Sequence, residues 1–231
     1  MLIIGHRGSA GTSPENTLKS FEEAVLSGAD ALELDVQVCK TGEPVVIHDM
    51  RVDRTTNGHG LVSGMSLSQL RFLDAGDKEK IPTLGEVLDL VDNRIDIHIE
   101  LKSAGTGEKT AELLNRYVQK GKYTFDDFVI SSFNHHELLN FRKFNKQCRL
   151  AALMAHTPLD YADVIPADKL DLWALNLKID NTTSEFVRSA HEKGYKFLVF
   201  TVNELEDGRY LKDMGVDGVF TNFPARFVKS L

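Results

Sequence analysis

An α/β barrel of eight parallel strands is the fold class this 231-residue chain predicts, on three observations. Short β-rich runs alternate with helical patterns from end to end, as the βα units of a parallel sheet do. The runs number eight, which suits closure into a barrel. The length is that of one such barrel and lies near the upper size of a single core.

The first strand is "LIIG" (2–5). In the next segment, "PENTLKSFEEAVLSG", Pro14 suits a helix start, Leu18, Phe21, Ala24 and Val25 form one apolar face, and Gly28 supplies the stop. The second strand is "ALELDV" (31–36), and "PVVIHD" (44–49) comes after only "CKTGE". A parallel crossover needs about a dozen residues, so this segment is an antiparallel hairpin. A turn near Thr41 and Gly42 sets His48 roughly opposite Asp35. Residues 50–82, rich in glycine and polar side chains, extend the insertion over the same end of the barrel.

The remaining strands are "DIHIEL" (96–101), "FVISSF" (128–133), "RLAALM" (149–154), "LWALNL" (172–177), "KFLVFT" (196–201) and "GVFT" (218–221). Between them run the helical patterns "TLGEVLDLVD", "EKTAELLNRYVQKG", "HHELLNFRKFN", "TSEFVRSAHEKG" and "ELEDGRYLKDMG", several ending in glycine. One domain over residues 1–231, with an inserted β-hairpin and loop region at about 40–82 after the second strand, is the expected organisation.

A hydrophobic content of 42% is enough for a sizeable core, and the net charge of −7 argues against nucleic acid or an anionic membrane as a standing partner. Cys39 and Cys148 form no metal-binding pair and read as free thiols. "MLIIGHRGS" lacks the basic region and long apolar stretch of an export signal, and no apolar segment has bilayer length. A cytoplasmic protein without membrane insertion is expected; an export segment already removed would leave no sign. Oligomeric state has no signature here.

Functional groups of such a barrel come from the carboxyl ends of its strands, and residues two apart on a strand share a face. Glu33 and Asp35 share one at the end of the second strand, Glu100 and Lys102 one at the end of the next parallel strand, and His6 and Arg7 end the first. A single acidic residue at a strand end is more often a cap or a surface charge. Three converging from adjacent strands repel one another unless a cation sits among them. Carboxylate oxygens suit Mg²⁺ or Ca²⁺ better than Zn²⁺. His98 lies on the face of Glu100 and reads as a satisfied structural histidine lower in the barrel. His59 reads as a solvated loop residue, and His135 and His136 as the polar start of a helix.

The segments "HRG" (6–8), "PENT" (14–17), "ELDV" (33–36), "VIHD" (46–49), "DRTTNG" (53–58), "IPTL" (81–84), "IELK" (99–102), "FTVN" (200–203) and "DGVFTNFP" (217–224) form an ordered set. With them the chain resembles the glycerophosphodiester phosphodiesterase family. The resemblance implies a (β/α)8 barrel of the triosephosphate isomerase (TIM) type, His6 and His48 as catalytic acid and base, and Glu33, Asp35 and Glu100 as metal ligands. It also implies that Arg7 and Lys102 contact the phosphodiester, and that Glu15 and Asn16 shape the rim of the site, with Glu15 near the metal. Two departures stand out. Phe200 replaces the usual tryptophan and keeps an apolar wall, and Asn222 replaces an aspartate, removing a charge at the rim.

The implied activity is hydrolysis of a small glycerophosphodiester, such as glycerophosphocholine or glycerophosphoethanolamine, to glycerol 3-phosphate and an alcohol, in lipid and glycerol metabolism. A phosphodiester is a poor electrophile, so the site must neutralise charge and move protons. The metal, Arg7 and Lys102 serve the first need, and two imidazoles, titrating near pH ~6.5 when unperturbed, serve the second. The residues leave open which histidine is the acid, and whether water or the substrate's 2-hydroxyl attacks. A related enzyme of lysophospholipids or phosphatidylinositol-type substrates is the nearest alternative, with Leu61, Val62 and Met65 as its apolar residues; these read instead as packing of the insertion. A silent binding barrel would not need every catalytic position filled, and a metal-dependent aldolase or isomerase gives no reason for paired histidines.

Overall fold

A computed structural model of the chain describes residues 1–164 and 167–231. In chain order the elements are β1 (Leu2–Gly5), α1 (Leu18–Leu26), β2 (Ala31–Val38), β3 (Pro44–Val46), α2 (Leu67–Phe72), α3 (Leu84–Val91) and β4 (Asp96–Leu101). Next come α4 (Thr106–Gln119), β5 (Phe128–Ser132), α5 (His135–Phe144), β6 (Arg149–Met154), α6 (Ala167–Leu170), β7 (Ala174–Lys178), α7 (Ser184–Glu192), β8 (Lys196–Phe200), α8 (Leu205–Asp213), β9 (Gly218–Thr221) and α9 (Pro224–Val228).

The sheet runs β1-β9-β8-β7-β6-β5-β4-β2 and closes through β1–β2, all parallel; β3 hangs on β2 as the antiparallel outlier. Among the described residues this is an eight-stranded TIM barrel with helices between its strands. Strand alternation separates two apolar layers. Leu32, Leu34 and Val36 face the helices, whereas Ile4, Ala31, Val129, Ala151, Ala174, Leu198 and Phe220 fill the barrel interior. A third cluster of Cys39, Val45, Ile47, Val52, Val62, Leu70, Ala75 and Ile81 gives residues 39–81 a small core of their own. Val62 is buried there and Met65 packs on it, while Leu61 is exposed. Cys39 and Cys148 are both free and buried.

Three expectations shift. The first helix starts at Leu18, not Pro14, because Thr17 is its cap, accepting from the Ser20 amide, and Asn16 has a left-handed φ of 58° that no helix continues. The β2–β3 pairing sets Val36 against Val46, and the Ile47 amide donates to the Asp35 carbonyl. Asp35 therefore faces Ile47, and His48, one residue on, has already left the strand. The chain also inserts the short α6 between β6 and β7, which periodicity did not signal.

Candidate active site

The first βα turn builds one wall. β1 ends at Gly5, and the turn through Arg7 (φ 52°) and Gly8 (φ 83°) lets the Arg7 amide donate to Glu33 Oε2 at 2.8 Å. A Cβ at Gly8 would lie 2.5 Å from Ser20 Oγ, so only glycine allows α1 this close. Ser20 Oγ in turn donates to the Arg7 carbonyl at 2.9 Å. Asn16 closes the turn over the second strand: its Nδ2 donates to Asp35 Oδ2 at 2.8 Å, and its Oδ1 accepts from the Asp35 amide.

Glu33, Asp35 and Glu100 present one oxygen each within 4.8 Å of one another. Burial, then the neighbouring carboxylates, pushes Glu33 well above the usual range and Glu100 up to about 7, although Lys102 opposes the latter shift. Asp35 Oδ1 is buried with no hydrogen-bond partner among the described residues. Such a cluster holds protons or a cation. Around it, the carboxylates of Glu15, Glu33, Asp35, Asp49 and Glu100 face the cationic Arg7, Arg54 and Lys102, an excess of two negative charges, which one divalent ion balances. Donor type, spacing and charge fit a hard divalent cation.

Glu15 is not part of that cluster. It accepts from Arg7 Nη1 at 2.8 Å and from both terminal nitrogens of Arg54. Burial works against its charge, but the Arg54 hydrogen bonds and the Arg7 charge outweigh it and hold the carboxyl down to about 2. Arg54 also grips Asp49, and Asp49 Oδ1 lies 2.6 Å from His48 Nδ1. The Arg54 hydrogen bonds keep Asp49 ionised far below the carboxylate range. A charged chain thus runs from Arg7 through Glu15, Arg54 and Asp49 to His48, tying the insertion to the first turn.

Lys102 Nζ donates to Glu100 Oε1 at 2.7 Å and lies 3.1 Å from His48 Nε2. An ammonium only donates, so Nε2 accepts and Nδ1–H of His48 points at Asp49. His6 mirrors this arrangement, with Nδ1 2.7 Å from Asn222 Oδ1, an acceptor, which leaves Nε2 free. Burial and then the Arg7 charge lower His6 to about 4, with the Asn222 hydrogen bond and Asp35 only partly offsetting them. His6, His48, Arg7, Glu33 and Glu100 line one cavity of about 200 Å³, closed opposite by Phe133, Phe200 and Phe220.

The sequence-predicted residues His6, Arg7, Glu15, Asn16, Glu33, Asp35, His48, Glu100, Lys102 and Phe200 therefore gather at the carboxyl ends of the strands. Sequence reasoning missed the grip of Asn222 on His6 and the Asp49–Arg54 link, although "VIHD" and "DRTTNG" contained both residues of that link. His98 sits inside the barrel against the edges of Trp173 and Phe220, but its Nδ1 has no hydrogen-bond partner among the described residues, so it is buried without being fully satisfied there. His59 is exposed beside Asp53, and His135 Nε2 lies 3.1 Å from the Leu153 carbonyl.

A TIM barrel with this charged cleft at its carboxyl end has the build of a phosphoric diester hydrolase. The model of the glycerophosphoryl diester phosphodiesterase family matches residues 6–226, and the chain belongs to that family. It is 35% identical to a glycerophosphodiester phosphodiesterase of Caldanaerobacter subterraneus subsp. tengcongensis and 38% identical to one of Bacillus altitudinis, each match covering 98% of this chain and 96% of the relative. A phosphodiesterase of Oleispira antarctica, solved in complex with the product sn-glycerol-3-phosphate, superposes with a TM-score of 0.90 at 30% identity, covering 100% of this chain and 96% of that one. The chain is accordingly a phosphoric diester hydrolase with glycerophosphodiester phosphodiesterase activity. No helix among the described residues is long and apolar enough to cross a membrane.

Proposed function

We propose that the protein cleaves small glycerophosphodiesters, such as glycerophosphocholine or glycerophosphoethanolamine, to glycerol 3-phosphate and the free alcohol. The observation that carries this reading is that two histidines, each held at Nδ1 by a side-chain oxygen, line the same cavity as the carboxylate cluster. Glu33, Asp35 and Glu100 would hold Mg²⁺ or Ca²⁺, which supplies charge neutralisation to the phosphodiester and to the oxygen that attacks it. Arg7 and Lys102 bind the remaining phosphate oxygens, Arg7 through its fork and Lys102 as a point charge.

His6 and His48 move the protons. The neutral amide on His6 supports the uncharged ring, so His6 Nε2 is the base that accepts a proton from the attacking hydroxyl. His48, held by Asp49 at Nδ1 and beside Lys102 at Nε2, is the second proton-transfer group and serves the leaving alcohol. Phe200 and Phe133, edge to face at 5.8 Å, keep water from the apolar side. The product bound to the Oleispira antarctica phosphodiesterase supports the same product here. The buried free thiols fit a cytoplasmic setting within lipid and glycerol metabolism.

The test is release of glycerol 3-phosphate from glycerophosphocholine by metal-stripped protein, with Mg²⁺, Ca²⁺ or neither restored. Release only with a restored cation is expected, and His6→Ala and His48→Ala should each lower kcat by about 10²–10⁴. Variants within about tenfold of wild type would overturn the proton-transfer roles. A second reading, a lysophospholipid substrate, is favoured by one observation. A groove of about 480 Å³ that includes Leu139, Met154 and Leu170 shares Phe133 and Leu153 with the active cavity and has room for a chain. Faster turnover of lysophosphatidylcholine than of glycerophosphocholine would select it.

A further inference from the structure

The cavity has two unlike halves. Charged groups line one, and in the other, among Phe133, Leu153, Phe200 and Phe220, stand the polar residues Ser131, Asn176 and Thr201. Asn176 lies on β7 between Leu153 of β6 and Leu198 of β8, and its alternation with Leu175 and Leu177, which face the helices, turns it inward. It is 1% exposed, and neither Oδ1 nor Nδ2 has a hydrogen-bond partner among the described residues. A buried polar atom left unpaired is costly, so an amide between two leucines is a liability unless something else pairs with it.

The chemistry of the amide defines its partner. It offers one acceptor and one donor side by side and carries no charge. An anionic side chain here would repel a phosphodiester, and a cationic one would compete with Arg7 and Lys102 for the phosphate. A neutral donor–acceptor pair matches a vicinal diol, one hydroxyl donating to Oδ1 and its neighbour accepting from Nδ2. The aromatic rings around it suit the C–H faces of a short polyol.

We propose that Asn176 is a specificity residue that holds the free vicinal hydroxyls of the substrate's glycerol half, with Ser131 beside it in the same subsite. The proposal rests on the glycerophosphodiester reading above. It makes Asn176 the element that distinguishes glycerol from an alkyl group of equal length.

Asn176→Leu tests it, with glycerophosphocholine compared against propyl phosphocholine, which lacks both hydroxyls. Losing two neutral hydrogen bonds should cut kcat/KM for glycerophosphocholine by about 10–100-fold and leave the propyl diester within about threefold of wild type. The thermal midpoint should not fall, since leucine removes two unpaired polar atoms from an apolar wall. An unchanged preference for glycerophosphocholine in the variant, or an equal loss on both diesters, overturns the proposal; the second result is what a merely structural amide or one satisfied by a trapped water would give. Asn176→Ser, expected to fall between, serves if the leucine variant does not fold. Should wild type cleave only glycerophosphocholine, as attack by the substrate's 2-hydroxyl requires, or cleave neither diester, in which case the reading of function fails instead, calorimetry decides the subsite. Wild-type protein binding sn-glycerol 3-phosphate no better than propyl phosphate would overturn it.

Discussion

Asn222 carries more weight than its place at the rim suggests. Its Oδ1 is the only described partner of His6 Nδ1, and its own amide donates to Asn203 Oδ1 at 3.0 Å, so the side chain reaching His6 is anchored from behind. An aspartate there would favour the imidazolium, raising the pKa of His6 from its depressed value of about 4. Because a base works only unprotonated, Asn222→Asp should move the acid limb of the kcat/KM profile to higher pH. A limb that stays in place would separate His6 from the proton being titrated. From sequence, this position read only as a charge lost at the rim, since nothing local links residue 222 to residue 6. Asn176 was hidden for another reason. Alternation in "ALNLK" turns it inward, but an inward polar residue becomes conspicuous only once its neighbours are seen to leave it unpaired.

At the scale of elements, the strands were legible because their apolar runs are bounded by turn residues, and the helix stops because Gly28, Gly121, Gly194 and Gly215 take positive φ. Starts were less legible: Pro14 is a good first helical residue, but the contact of Asn16 with Asp35, 19 residues away, holds the chain out of helix until Thr17. The hairpin register slipped by one residue for a similar reason, as pairing was set by a turn whose geometry sequence does not specify. The insertion, for its part, holds the first βα turn through Arg54, about half exposed, which bridges Glu15 and Asp49. Exposed ion pairs contribute about 0–1 kcal/mol, so Arg54→Ala should hardly move the urea midpoint. It should nevertheless lower kcat by roughly tenfold, because Arg7 and His48 both lose their backing. Arg54→Lys keeps the charge but not the two-sided fork, and should recover only part. A variant with full kcat would make the bridge incidental.

Across the whole molecule, the barrel interior holds His98, buried at 2% exposure and held neutral, its pKa pushed down to about 3 by burial and then by Arg149. An unfolded histidine takes up a proton near pH ~6.5, so this group contributes stability above that pH and loses it as the pH falls towards 3. By pH 5 the loss is about 2 kcal/mol relative to neutral solution. His98→Leu should flatten the pH dependence of the unfolding free energy by that amount, and a slope equal to wild type would mean the ring is protonated in the fold. The order of the strands has a temporal consequence as well. β1 is flanked by β2 and by β9, and His6 meets Asn222 across 216 residues. At about 5–20 residues per second, a ribosome adds the second of these some 10–40 s after the first. Until then the sheet has no strand between β1 and β8, and the barrel stays open. The last strand of the sheet to be synthesised, β9, is thus the one that closes it, and it brings Phe220 to the wall of the cavity that Glu33 and Glu100 line.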